Sequence, residues 1–161
     1  MKKIVLVMSC LPIIPLWVGC GDDENDYVSI LPSFYDITFD TDQLYAGMTV
    51  TATAVQSRKG KLLDRTTYDW EVNDTISKHD GLTYDASNGD PTFTFKVPEA
   101  SKTRPTSITV KFTGKYGISG SNCKIVSTEH AMGLSVVTEP SQIEGKIRLS
   151  KTFTVYPNVN Q

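Results

Sequence analysis

The residues able to do chemistry are few and scattered in this chain of 161 residues. Its two histidines, His79 and His130, lie far apart, and neither has a partner at metal-ligand spacing. His79 sits beside Asp80 and Gly81 in an expected loop, and His130 follows Glu129. Both read as solvated polar side chains, because a working site needs several converging groups. Cys123 has Lys124 next to it. A nearby cation lowers a thiol pKa, but successive side chains on a strand point to opposite faces. The expectation is therefore an inert, buried thiol. Carboxylates are plentiful, yet nothing pairs two of them into an acid–base site. Nucleophile elbows, Walker loops and dinucleotide fingerprints are missing from the sequence. No catalytic residue, metal ligand or cofactor is expected.

Three groups of residues are candidates for binding instead. Arg58, Lys59, Lys61 and Arg65 make one short stretch basic in a chain whose net charge is −2. Such a loop would suit an acidic glycan or an acidic protein surface, and would weaken with salt; a plain solubilising turn has the same composition. Tyr35, Tyr84, Tyr116 and Tyr156 are available to stack on sugars, although tyrosine in a strand usually packs. Asp85, Asn88 and Asp90 around Gly89 carry calcium-type ligands, but Asn and Asp at a turn satisfy the backbone themselves. No basic excess points to nucleic acid.

The start of the chain carries an address. Lys2 and Lys3 precede an apolar run from Ile4 to Val18 that is broken by Pro12 and Pro15, the layout of a secretory signal. The run is short for a membrane span. It ends in Leu16-Trp17-Val18-Gly19-Cys20, which resembles the lipobox of bacterial lipoproteins. A rival junction at Cys10 would leave too short an apolar region. The resemblance implies cleavage before Cys20 and acylation of that cysteine, palmitate included, so that residues 1–19 are the signal peptide. The acidic run Asp22, Asp23, Glu24 after it resembles the export signal of surface lipoproteins of the Bacteroidetes, which implies display on the outer face of the outer membrane. With Cys10 in the signal and Cys20 acylated, Cys123 has no disulfide partner.

The rest of the chain must supply a scaffold. Period-two alternation recurs: Ile37 and Phe39 with Tyr35; Met48, Val50, Ala52 and Ala54 between threonines; Tyr68, Trp70 and Val72; Phe93, Phe95 and Val97; Ile108, Val110 and Phe112; Ile147, Leu149, Phe153 and Val155, with Lys151 out of phase. Each set has one apolar and one polar face, the pattern of antiparallel sheets packed face to face. Turn residues fill the gaps at Arg58–Lys61, Ser87–Pro91 and Gly117–Ser121. An all-β sandwich of about seven strands follows. Ala46-Gly47-Met48-Thr49-Val50-Thr51-Ala52 and then Thr67-Tyr68-Asp69-Trp70-Glu71-Val72 resemble the B and C strands of immunoglobulin-like and PKD-like domains. The resemblance implies that Trp70 marks the core centre.

The expected organisation is a signal peptide over 1–19, a lipidated Cys20 with an acidic tether over 20–33, and an Ig-like domain over 34–157. The loop from Ser57 to Arg65 and the stretch from Gly117 to Lys146 should share one end. The latter is too long for a plain loop and should add strands near Cys123–Val126 and Met132–Val137. Function stays open between two expectations. One is a non-catalytic accessory or protein-interaction module, held to the membrane by its lipid and meeting an outer-membrane protein. The other is a glycan-binding lipoprotein serving polysaccharide uptake.

Overall fold

Threonine-rich alternation is realised as strand throughout the described residues, 27–79, 90–99, 103–126 and 131–158 of a computed structural model. The strands are β1 (Val28–Ile30), β2 (Ser33–Phe39), β3 (Leu44–Tyr45), β4 (Thr49–Arg58), β5 (Leu63–Val72), β6 (Ile76–His79), β7 (Thr92–Lys96), β8 (Thr106–Ile118), β9 (Asn122–Lys124), β10 (Leu134–Glu139) and β11 (Glu144–Tyr156). Cys20, Asp22, Asp23 and Glu24 lie outside the described residues, as do Tyr84, Asp85, Asn88 and His130.

One sheet runs β2-β4-β7. A larger one runs β10-β11-β8-β5-β6, and β3 adds to it parallel to the end of β11, Leu44 opposite Val155. Their apolar faces meet. Phe34 of the small sheet lies 5.2 Å from Phe112 of the large one, and Phe39 lies 4.6 Å from Phe153. Trp70 is fully buried between Phe112 at 4.8 Å and Phe93 at 6.0 Å, as expected of a core centre. Its neighbours in phase, Thr66 and Val72, are buried too, while Tyr68 is half-buried.

Four departures from the sequence reading have physical causes. The tether does not extend to residue 33. β1 pairs parallel with β9, and Ser29, Leu31 and Ser33 are buried. Leu31 fills the space that Gly145 leaves open; a Cβ there would strike its side chain. Tyr35 faces outward rather than inward, because a bulge between Phe34 and Asp36 shifts the phase of β2 and returns Ile37 to the core. Tyr116 is fully buried, packed with its ring centroid 6.4 Å from that of Tyr68. It continues the inward parity of β8 beyond Phe112, and Gly114 makes the room, since a Cβ at that position would run into the Tyr116 ring. Last, β5 and β6 form a hairpin around Asn73 and Asp74, whose φ values of 49° and 58° with the Thr75-to-Val72 hydrogen bond define a mirror-image turn matched to strand twist. The long stretch after Gly117 does form extra strands, β9 and β10, close to where they were expected.

Candidate functional site

Two ends of the stacked sheets differ in how they are built. At the entry end the chain comes in at Tyr27, and β1 is stitched across the loops on either side. Ile30 and Lys61 exchange backbone hydrogen bonds, each 2.9 Å. Ser121 donates to the Tyr27 carbonyl at 2.7 Å, and Ser119 donates to the Leu62 carbonyl at 3.1 Å. The buried Ser29 hydroxyl joins both loops, donating to the Leu62 carbonyl at 2.5 Å and accepting from the Gly120 N–H at 2.9 Å. Gly120 is required by this close approach, since a Cβ there would meet the Tyr27 carbonyl. The β4–β5 loop and the stretch after Gly117 therefore share this end, as expected.

Arg58, Lys59, Lys61 and Arg65 are all exposed here, with Lys124 of β9 nearby. Of the four, Arg65 lines a hollow of about 190 Å³, with Lys115 and Glu144, on the outer face of the large sheet. Leu62, within the loop, takes a left-handed φ of 53° and is partly exposed.

The far end holds a cleft of about 530 Å³ that the sequence reading missed. Here the chain leaves β2 and crosses through residues 41–43 to reach β3 on the other sheet, so a seam opens between Phe39 and the last turns of β11. Phe39, Phe153 and Tyr156 give it aromatic walls, and Thr38, Asp42, Gln43 and Thr154 supply polar groups. Tyr45 flanks it, its ring 6.1 Å from Tyr156 and its hydroxyl donating to Gln43 Oε1 at 2.7 Å. Lys151 lies at the base. Its ammonium bonds Asp36 Oδ1 at 2.5 Å and the Ile37 carbonyl at 3.2 Å, and stands 5.2 Å from the centre of the Phe153 ring. The pair is largely shielded, each side chain 18% exposed. The phase break at Lys151 was the one signal of this cleft in the sequence, and the bulge that turns Asp36 toward it left none.

Of the four tyrosines, Tyr156 lines the cleft, Tyr35 is exposed on β2, Tyr116 is in the core and Tyr84 lies outside the described residues. The three described ones form no common platform. Burial pushes the Tyr116 phenol well above its usual value, with Tyr68 beside it adding to the shift.

The remaining candidates have structural partners. His79 is on β6, not in a loop, with Nδ1 2.8 Å from Asp69 Oδ1; Lys115 reaches Asp69 Oδ2 at 2.9 Å. Burial pushes the Asp69 carboxyl up, but the hydrogen bonds from His79 and Lys115 and their charges outweigh it and hold the carboxyl below its ordinary range. Cys123 is a buried free thiol, pushed up by burial. Asp90 Oδ1 accepts from the Gln56 N–H at 2.8 Å, a backbone-holding role. Among the described residues no three His, Cys, Asp or Glu side chains converge as a metal site. Compared with known proteins, the chain matches no family model, no curated protein and no solved structure.

Proposed function

We propose that this chain is a non-catalytic lipoprotein: an immunoglobulin-like β-sandwich held by an acylated Cys20 at the outer membrane and displayed on the cell surface as an accessory, protein-binding module. The observation that carries the reading is directional. The chain enters at Tyr27, at one end, while the cleft opens at the other, beyond the thirteen residues of β8 and β11. At about 3.3 Å per residue that separation is roughly 40 Å. A tether at the first end thus presents the second outward. The strand pattern supports the fold, with β2-β4-β7 facing β6-β5-β8-β11 and β3 crossing to run parallel with β11. The basic start, apolar run and Gly19-Cys20 junction support the anchor.

The cleft favours a second reading, a glycan as the bound partner. Half-exposed aromatic rings beside hydroxyl, amide and carboxylate groups suit a sugar's apolar face and its hydroxyls.

The test begins with address. Cells fed radiolabelled fatty acid should label the wild-type protein and not Cys20→Ala, and external protease should reach the wild type but not a protein with Asp22, Asp23 and Glu24 changed to Ala. Cross-linking from Tyr156 in intact cells should then trap an outer-membrane protein. Binding on a glycan array that is lost in Tyr156→Ala would select the second reading. Label persisting on Cys20→Ala would refute the anchor.

A further inference from the structure

The entry end carries more apolar surface than its charges suggest. Tyr27 is 65% exposed and Ile143 82%, and the Ile143 carbonyl is tied to the Ile118 N–H, so it belongs to the same end as Leu62, itself 38% exposed. The Ile118, Ser119 and Ser121 N–H groups bond the Ile143, Leu62 and Tyr27 carbonyls in turn, so three exposed apolar side chains are gathered at one end of the domain. Around them stand the exposed cations Arg58, Lys59, Lys61 and Lys124, with Asp64 among them. Aliphatic and tyrosine side chains ringed by Arg and Lys is the composition of a surface that lies in a membrane interface, apolar groups toward the acyl boundary and cations at the phosphates. Long basic side chains reach headgroups while their stems stay on apolar surface.

Where the chain goes next decides the occupant. Six residues separate Cys20 from Tyr27, so the two Cα atoms are at most about 25 Å apart fully extended. An acyl chain on Cys20 would hold this end within that distance of a bilayer. We propose that the entry end is a membrane-contact face: Tyr27, Leu62 and Ile143 sit at the headgroup level of the bilayer that carries the anchor, and Arg58, Lys59, Lys61 and Lys124 bind its anionic phosphates. The proposal rests on the lipid-anchor reading above and adds an orientation, with the sheets standing on the membrane and the far cleft turned away. The bonding of Ser29 to Leu62 and Gly120 holds this end together as one foot, and contact of that foot with the headgroups is what sets the domain's orientation.

The test uses the full-length lipoprotein, purified from membranes and reconstituted in vesicles of phosphatidylethanolamine with phosphatidylglycerol. A spin label is placed at Ile143→Cys, at Leu62→Cys or, at the far end, at Tyr45→Cys, each in a Cys123→Ser background. Labels at positions 143 and 62 should be several-fold less accessible to a water-soluble paramagnetic reagent than the label at 45. That protection should fall in vesicles of phosphatidylcholine alone, at high salt, and when Arg58, Lys59 and Lys61 are all changed to Ser. Ile143 is exposed on a turn, so its replacement tests the idea even if Leu62→Cys disturbs its left-handed backbone. Fatty acid present on the protein, with the 143 label as accessible as the 45 label, overturns the membrane foot and leaves the anchor standing. Absence of fatty acid overturns the anchor, and the foot with it.

Discussion

The entry end and the far end close the same pair of sheets in opposite ways. At the entry end an additional strand, β1, lies across the opening and is bonded through backbone groups to both flanking loops, with Ser29 at their junction. At the far end the chain spends residues 41–43 crossing between sheets, and the seam is spanned by side chains, chiefly Lys151 with Asp36. Backbone stitching consumes polar groups and leaves aliphatic and basic side chains to face out. Side-chain spanning leaves an aromatic hollow. An end built of backbone is suited to bearing on something, whereas an end built of side chains is suited to accommodating something. The difference arises from where spare chain is available, not from the sheets themselves, which present the same Thr-rich outer and apolar inner faces along their whole length.

The comparison can be broken at its centre. Trp70→Ala should cost on the order of 3–5 kcal/mol, and because Trp70 contacts residues of both sheets, thermal unfolding should lose both ends in one transition. Trp70→Phe should cost far less than Trp70→Ala, since the indole N–H meets no acceptor among the described residues and no hydrogen bond is lost. Ser29→Ala should cost about 1–3 kcal/mol, the penalty for stranding buried partners. Its signature is local: amide exchange at Ser119 and Gly120 should speed up while that at Thr109, near the far end, holds. Equal acceleration at both would show that the ends are not independent. Lys151→Ala should cost about 1–2 kcal/mol, less than a fully buried pair because the groups retain some water. Here the local effect should invert, with exchange at Ile37 rising and Ser119 unchanged.

The smallest effect belongs to neither end. Asp69 is held below the usual carboxylate range in the folded state. Its contribution is full above about pH 4, the unfolded value, and is lost as pH falls through the lower folded value. Asp69→Asn should therefore lower the denaturation midpoint at pH 7 by the equivalent of a few tenths to about 1 kcal/mol, and leave it unchanged near pH 2.

Strand character was legible wherever apolar and polar residues alternated without interruption, as from Phe93 to Val97 and from Ile108 to Phe112. The core role of Trp70 was legible for the same reason. Local irregularity was where the reading failed. One extra residue at the bulge of β2 reversed Tyr35 and brought Asp36 in, and a bulge has no composition of its own. The β5–β6 hairpin did have a signal in Asn73-Asp74, a pair that tolerates the positive φ its turn requires. β1 was hidden because three residues are too few to show a period, and its reason to form lies in β9, far along the chain. The basic loop was readable as basic, but a sequence does not reveal that Tyr27 and Ile143 share its end of the domain. The far cleft is a property of two strand ends meeting, so only the misplaced Lys151 hinted at it.

The parallel pairing of β1 with β9 also fixes an order of events. Ser29 is opposite Cys123, so a chain made from its N-terminus exposes β1 as an orphan strand until most of the domain has emerged. The sheets around Trp70 have most of their own partners earlier, β4 with β2 and β7, and β5 with β6 and β8, although β8 needs β11 to finish. Closing the loop between residues 29 and 123 is entropically the more expensive for its length, and contacts of such separation form slowly. The part of the molecule nearest its beginning is thus sealed only after residue 124 is available, and a nascent chain stalled before that point would carry an unsealed entry end with Leu31 in water.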